Sequence, residues 1–346
     1  MKPYTDILKI FENSSLDFKL RQNNIDEWDE NFSALEYKPV DYLAANIDYQ
    51  TEYQKQNFDE FIDISSIIFS NGNPIAIWPI SIGIKDGKKF FSSQGENILP
   101  PIFLKNTSSK QIKKCISEIH KICIKVNLDH SKKYWMTSCA YVNKNYLSAW
   151  HLLCMTKKAE CSLIHNLYVD LDRDIDEIWS NFRRRYKPLI NKGEKLWNIE
   201  VHKSSIEKDI WSDFKNLHLN VSGRKTRSDK SWEIQFNNIK ANNAFLITLK
   251  NDKNLVGGAL FSYTLDEGRY DVGAYDRSLF DKPIGHAAQF TAIKEFKKMN
   301  LSLYKIGRRF YASDIPAPTE KELSIADFKE GFASFTQPEF ILKNFI

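Results

Sequence analysis

A lysine near the C-terminus stands between two aromatic residues, in the stretch Phe328-Lys329-Glu330-Gly331-Phe332. If both rings are buried, the amine of Lys329 lies against apolar surface, and desolvation lowers the pKa of a lysine. An amine of lowered pKa can take part in a proton transfer at neutral pH. The alternative is an ordinary surface lysine beside two buried rings, and these five residues taken alone favour that alternative.

A second candidate is the loop at 280–286, which joins a predicted strand at 269–274 to a predicted helix that begins near His286. Free backbone N–H groups at a helix N-terminus attract phosphate or carboxylate groups. Gly285 is therefore a candidate for binding the pyrophosphate of an acyl-CoA, and His286 for a base or an anion contact. Such loops usually contain several glycines, so an ordinary turn with a solvated histidine is an equally simple interpretation. We also assign Tyr270, on the predicted strand, to substrate binding.

Arginines in three further segments could bind an anion, because a guanidinium group donates two parallel hydrogen bonds to a phosphate or a carboxylate. In each segment the alternative is a solvated cationic surface or an exposed linker. The candidates are Arg184 in a predicted helix with three consecutive arginines, Arg224 in a polar loop at 221–229, and Arg308 and Arg309 after the last predicted sheet strand, where open α/β sheets place ligands.

Other catalytic and metal-binding patterns are absent from the sequence. It contains no G-x-S-x-G, no H-E-x-x-H and no P-loop, and its seven histidines lack metal-ligand spacing. Its five cysteines form no CxxC pair, which predicts free thiols in a reducing compartment. We therefore expect no metal site and no tightly bound cofactor.

The net charge of +5 conceals an uneven distribution of charged residues. Residues 1–63 carry six basic and 14 acidic side chains, whereas residues 181–230 carry 13 basic and six acidic ones. Two solvated faces explain this pattern, and the alternative is that the basic segment faces an anionic ligand. The total charge is too small to indicate DNA binding.

The length of 346 residues predicts about two domains. No window approaches 18 apolar residues without a charge, which predicts that no helix spans a membrane. Because the N-terminus lacks the hydrophobic core of a signal peptide, we expect a cytoplasmic protein.

One pattern of apolar runs and polar turns occurs twice, at 65–91 and at 244–272, so that Asn73 aligns with Asn254 and Gly87 with Gly268. Asn, Asp and Gly in the turns tolerate positive φ, as hairpins require. Each copy therefore predicts a three-stranded antiparallel meander. Helices are predicted before the meanders at 3–12, 50–62, 206–219 and 230–241; a helix and then a strand are predicted after them, at 109–125 and 134–140 and at 286–299 and 301–306.

The repeated order of helices, three strands, helix and strand resembles the GCN5-related N-acetyltransferase (GNAT) fold. We therefore predict an α/β (mixed α+β) chain with two tandem GNAT-like domains, each a mixed sheet flanked by helices. The predicted N-terminal domain spans 1–168 and the C-terminal domain 169–346. A linking helix at about 174–192 would be bent or ended by Pro188.

The tandem pattern and the F-K-x-G-F stretch at 328–332 resemble the FemAB/FemX-like transferases. The resemblance covers most of the chain and is clearest at 169–332. It implies that Lys329 acts in the transfer step, with Phe328 beside it, and that a basic residue such as Arg184 binds an anionic acceptor. The segments that carry it are the arginine-rich segment at 178–192, the meander at 244–275, Tyr275-Asp276-Arg277 and F-K-x-G-F.

The leading hypothesis is an acyltransferase that moves an acyl or aminoacyl group onto an amine of a cell-envelope precursor, with acyl-CoA or aminoacyl-tRNA as co-substrate. Lys329 would serve the proton transfer or the oxyanion, and Arg308 or Arg309 would hold an anionic group of the acceptor, a nucleotide sugar or a muropeptide. Two alternatives stay open. One is an acyl-CoA-dependent GNAT N-acetyltransferase with one site in the C-terminal half, and the other is a non-catalytic GNAT-like binding module.

Overall fold

The computed structural model describes residues 4–129, 135–139, 147–252 and 254–343. The chain forms two compact units, one of residues 1–164 with 338–346 and the other of residues 165–337. The predicted boundary at 168/169 lies four residues from the boundary between the units, and the predicted second domain ran on to residue 346.

The first unit contains five helices and eight strands among its described residues, besides the ends of two strands that it shares with the second unit. The helices are α1 Thr5–Glu12, α2 Ile25–Ser33, α3 Ala44–Gln54, α4 Ser109–Asp129 and α5 Ala149–Thr156; the strands are β1 Asp17–Leu20, β2 Glu60–Asp63, β3 Ser66–Ser70, β4 Asn73–Trp78, β5 Ser81–Lys85, β6 Lys88–Ser92, β7 Ile102–Phe103 and β8 Trp135–Cys139.

The second unit carries the other elements, of which β9 and β15 contain the residues where the chain passes between the units. In chain order they are β9 Glu160–Asp170, α6 Ile175–Asn181, α7 Tyr186–Leu196, β10 Asn198–His202, α8 Lys208–Ser222, α9 Asp229–Lys240, β11 Ala244–Asn251, β12 Asn254–Tyr263, β13 Glu267–Tyr275, α10 Ile284–Lys298, β14 Leu303–Arg309, α11 Glu320–Glu330 and β15 Phe335–Lys343.

The first predicted meander is only partly correct. Strands β3 and β4 pair with each other, but β5 pairs with β2 and β6 in a separate sheet. Pro79 lies between β4 and β5, and a proline cannot donate to a strand ladder. The second apolar run of the first meander, predicted as one strand, therefore forms two strands, β4 and β5. The helix predicted at 50–62 ends at Gln54, and Glu60–Asp63 is strand β2.

The second meander is confirmed. Strands β11, β12 and β13 form consecutive antiparallel pairs, and the sheet order in this unit is β10-β11-β12-β13-β14-β9. One face of the sheet packs on α7 and α10, around Phe245, Phe261 and Phe296. The other face packs on α8 and α9, around Leu246 and Leu260. The strand predicted after the first meander is β8, although its end residues 134 and 140 lie outside the described residues.

Strands β13 and β14 are parallel, and they move apart toward their C-terminal ends. Their pairing runs from Glu267 with Leu303 to Arg269 with Lys305 and then stops, although both strands continue. Each strand is irregular at this point, with a register shift against β12 at Asp271 and against β9 at Ile306. Bulges bend a strand and increase its twist, so the two strands diverge beyond Lys305.

The linking helix predicted at 174–192 is two helices rather than one. Phe182 has extended backbone angles and ends α6, and α7 begins at Tyr186. Arg184 therefore lies in a loop and not in the predicted helix. Pro188 was predicted to bend or end the helix, but it stands in the first turn of α7. Backbone N–H groups in the first turn have no partner within the helix, so the proline removes no helical hydrogen bond.

Candidate active site

Helix α11 places Lys329 in its last turn. The helix starts at a capping box, in which the Thr319 side chain accepts from the Glu322 backbone N–H and the Glu322 carboxylate accepts from the Thr319 backbone N–H. Such a box satisfies two of the free donors at a helix start. The helix ends at Glu330, and Gly331 follows as its cap.

The aromatic residues around Lys329 attach this last turn to α7. The ring of Tyr186 packs against Phe328 and Phe332, and its hydroxyl donates to the Phe328 carbonyl at 3.1 Å. A Cβ on Gly331 would lie 2.1 Å from the Tyr186 ring, so a glycine is required there. The spacing of the F-K-x-G-F stretch thus has a packing reason, because both phenylalanines and the glycine contact the same tyrosine.

The Lys329 side chain points to the place where β13 and β14 diverge. Its Nζ lies 5.4 Å from the ring centroid of Tyr270 on β13. On β14 it passes Gly307, where a Cβ would lie 2.5 Å from Nζ and where φ is +141°. Burial lowers the pKa of the Lys329 amine. The amine thus lies between Tyr270 and Gly307, just beyond the last paired residues, Arg269 and Lys305.

The bulge at Asp271 brings two tyrosines to the side of the sheet on which Lys329 lies. Phe261 pairs with Tyr270 and Leu260 with Val272, which leaves Asp271 as the extra residue. Tyr270 and Tyr275 would face opposite sides of a regular strand, but the extra residue puts them on the same side. Burial raises the pKa of Tyr270 to about 12 and that of Tyr275 well above its usual value, so both are neutral phenols.

His286 and Gly285 lie in the first turn of α10, beside Phe328. The His286 ring packs edge-on against Tyr186 and Phe328, with centroids 4.6 Å and 5.0 Å away. Burial, with a smaller contribution from Arg185, lowers the pKa of His286 to about 4, so its imidazole is neutral and weakly basic at pH 7. A Cβ on Gly285 would lie 3.2 Å from the Phe328 ring, which thus covers that side of the helix start.

Two arginines bind the acids that flank Lys329. Arg183 donates two hydrogen bonds to Asp327, at 2.8 Å and 3.0 Å, and Arg309 Nε donates to Glu330 at 3.0 Å. Lys329 forms no ion pair with any residue of the described ranges. The acids next to it in the sequence are thus already paired.

The other predicted arginines differ in their surroundings. Arg308 lies 3.7 Å from Asp314, and its Nε is buried without a hydrogen-bond partner in the described part of the chain. Arg184 and Arg224 are exposed. The described contacts connect neither of them with Lys329.

The structure therefore brings together most of the predicted residues. Phe328, Lys329, Tyr270, Gly285 and His286 form one cluster, and Arg309 joins it through Glu330. Sequence reasoning did not assign several further members to the site. The signals for them were the family resemblance of the segment that contains Tyr275, the glycine that precedes Arg308 and Arg309, and the acids beside the lysine. These members are Gly307, Tyr186, Tyr275, Arg183, Asp327 and Glu330.

No helix in the described ranges is long and apolar enough to cross a membrane. The sequence matches no family model, and none of the curated proteins matches it.

Solved structures with a similar fold include FemX, with a TM-score of 0.65 and 11% identity over 91% of this chain and 95% of FemX. The C-terminal domain of a putative lysylphosphatidylglycerol synthetase from Agrobacterium fabrum has a TM-score of 0.57 and 10% identity, over 92% of both chains. A tandem GNAT protein from the clavulanic acid biosynthesis pathway has a TM-score of 0.50 and 9% identity, over 96% of this chain and 98% of that one. The chain therefore has a mixed α+β, FemX-like tandem GNAT fold, as predicted.

Proposed function

We propose that the chain is an N-acyltransferase that moves an acyl or aminoacyl group onto an amine of a cell-envelope precursor, an amino sugar or a muropeptide, in the cytoplasm. Its fold is shared with FemX and with part of a lysylphosphatidylglycerol synthetase. The observation that carries the proposal is the amine of Lys329, which lies where β13 and β14 diverge and has no ion-pair partner among the described residues. Parallel strands that separate in this way open a crevice, which is where α/β sheets place ligands.

In the proposed reaction, the acceptor amine attacks the acyl carbonyl of the donor. A C–N bond forms, the bond from the carbonyl carbon to the leaving oxygen or sulfur breaks, and the proton lost by the amine goes to the leaving group. Lys329 would donate a hydrogen bond to the oxyanion of the intermediate or carry that proton, because burial brings the pKa of its amine closer to neutrality. His286, with a pKa of about 4, is a weaker candidate for the base.

The acceptor's anionic group, such as a nucleotide diphosphate, would bind to arginines that have free donors. Arg308 has a buried Nε without a partner in the described ranges, and Arg184 and Arg224 are exposed. We propose all three as contacts for this group. The donor would be an aminoacyl-tRNA or an acyl-CoA. The Phe328 ring beside Gly285 favours the first, because it fills space that a CoA pyrophosphate would need at the α10 N-terminus.

The test is acyl transfer by the purified protein from both donor classes to amino-sugar and muropeptide amines. We expect the Lys329→Ala variant to lose at least about a hundredfold in rate, the smallest loss typical of a positioned proton-transfer group. The matched control is Lys321→Ala, since Lys321 is exposed on the same helix. A folded Lys329→Ala protein with full activity would contradict the assignment. Transfer from acyl-CoA alone, with CoA binding seen by calorimetry, would favour the GNAT N-acetyltransferase alternative.

A further inference from the structure

The last turn of α11 contains a lysine next to two acids, yet the lysine pairs with neither. Asp327 binds Arg183 at 2.8 Å, and Glu330 binds Arg309 Nε at 3.0 Å and also lies 3.6 Å from Arg183 Nη2. Of the two acids, Glu330 is the one that could reach the lysine. At 3.6 residues per turn, Asp327 lies about 200° around the helix axis from Lys329, whereas Glu330 lies only about 100° away.

Strand β14 provides separate contacts for Lys329 and for Glu330. Gly307 and Arg309 are two residues apart, so they face the same side of the strand. Lys329 passes over Gly307, and Glu330 binds Arg309 Nε at 3.0 Å. Arg309 is itself held, because its Nη1 donates to the Phe310 carbonyl at 2.6 Å and its guanidinium lies 4.7 Å from the Tyr311 ring centroid.

We propose that Arg309 is a positioning residue, which holds the Glu330 carboxylate away from the Lys329 amine so that this amine has no fixed counter-ion. This assigns to Arg309 a role other than the anion contact predicted from the sequence. Its consequence for catalysis rests on the proposed acyl transfer, but the contact itself does not.

The electrostatic reason is the effect of a carboxylate on an amine. An opposite charge within about 4–6 Å favours the charged form of a group and shifts its pKa by about 1–3 units. If Glu330 were free to approach, it would raise the pKa of Lys329 and offset the effect of burial. The other titratable groups on the elements packed around Lys329 are Tyr270 and Tyr275 on β13, His286 on α10, Tyr186 on α7, Arg183 in the loop before α7 and Asp327 on α11; Arg308 stands between Gly307 and Arg309 and so faces the other side of β14.

The experiment is a titration of the side-chain NMR signal of Lys329 in the whole protein without substrate, with the signal assigned by its loss in Lys329→Met. We expect Arg309→Met to raise the pKa of Lys329 by about one unit or more, because it removes the hydrogen bond that holds Glu330 and leaves only the longer contact with Arg183 at 3.6 Å. The double variant Arg309→Met with Glu330→Gln should return the pKa to the wild-type value. The matched control is Arg185→Met, which makes the same charge change but removes a 3.5 Å contact with Asp327 rather than one with Glu330, and should cause a clearly smaller shift.

Two results would overturn the proposal: an unchanged Lys329 pKa in folded Arg309→Met, or the same shift in the double variant as in the single one. If Arg309→Met does not fold, Arg309→Gln replaces it, since glutamine can still donate to the Phe310 carbonyl. The titration needs no turnover, so it distinguishes this proposal from the proposed function. If transfer is observed, the pH profile of kcat/KM should move to higher pH in Arg309→Met and return in the double variant.

Discussion

At the scale of the residue, the chemistry of Lys329 is determined by the groups that its neighbours already bind. Lys329 lies against the ring of Tyr270, and arginines take up the acids on either side of it. A buried cation without a partner is costly, and such groups concentrate at functional sites. If Asp327 or Glu330 were turned toward Lys329, the lysine would form an ordinary ion pair.

Gly307 is the residue that gives the Lys329 amine its position. We expect Gly307→Ala to reduce the transfer rate at least tenfold and to lower stability by about 1–3 kcal/mol, because a Cβ would lie 2.5 Å from Nζ and because φ is +141°. Steady-state kinetics and denaturant unfolding measure the two effects.

The control for this variant is Gly87→Ala in the first unit, at φ +69° and with no atom within 4 Å of the new Cβ. It also introduces a side chain at positive φ, with a milder backbone strain than at Gly307 and without a contact to the amine, so it should lower stability and leave the rate unchanged. A Gly307→Ala enzyme as active as Gly87→Ala would argue against the position assigned to Lys329.

At the scale of the element, the site depends on two irregular strands and one well-capped helix. The bulge at Asp271 turns Tyr270 and Tyr275 to the same side of β13, and the irregularity at Ile306 accompanies the end of the pairing with β14. Helix α11 then crosses this region with Lys329 near its C-terminal end, fixed by Tyr186 and Arg183. In the first unit, Pro79 aligns with Leu260 of β12, and the predicted meander is divided between two sheets there.

The capping box of α11 should matter for stability more than for transfer. We expect Thr319→Ala to lower the free energy of unfolding by about 0.5–2 kcal/mol, since it removes an N-cap. Lys329 is ten residues away and is held by contacts at the other end of the helix, so the rate at a temperature where the protein stays folded should change less than twofold. Denaturant unfolding and kinetics would check this, with Thr319→Ser as the conservative control. A large loss of rate in Thr319→Ala would show that the whole helix must be rigid.

At the scale of the whole molecule, several buried or half-buried histidines are neutral in the folded chain. Burial lowers the pKa of His120, His218 and His286 to about 4, against an ordinary value of 6.5. Between these values the unfolded chain binds protons that the folded chain does not, so stability falls as pH falls through this range. The loss lies above the range in which most carboxylates titrate.

We therefore expect the free energy of unfolding to decrease from pH 6.5 to pH 5. Replacing His286 with glutamine should reduce the number of protons taken up on unfolding by up to about one, with a flatter dependence on pH. Denaturant unfolding at pH 7, 6 and 5 gives this number from the slope. A wild-type stability that does not depend on pH in this interval would mean that the three rings are accessible to protons.

The local elements followed from the sequence. The second meander, helix α10 and the tandem order could be predicted because turn residues and apolar periodicity are properties of neighbouring positions. The F-K-x-G-F stretch likewise indicated Lys329 before any contact was known. The helix predicted over the three consecutive arginines was wrong. They follow the extended residue Phe182, and the Arg183 N–H donates to the carbonyl of Gly331, which is distant in the sequence.

What only the tertiary structure decided is which groups meet. Tyr270, Gly307 and Lys329 come from two strands and a helix, and Arg309 finds Glu330 rather than a free anion. One extra residue in a strand moves every following side chain to the other face, so such contacts depend on bulges and register. Local patterns of hydrophobicity do not contain that information, because the bulges are set by the packing of the whole sheet. The sequence by itself therefore determined most of the elements and pointed to Lys329, and the packed sheet determined the surroundings in which this lysine lies.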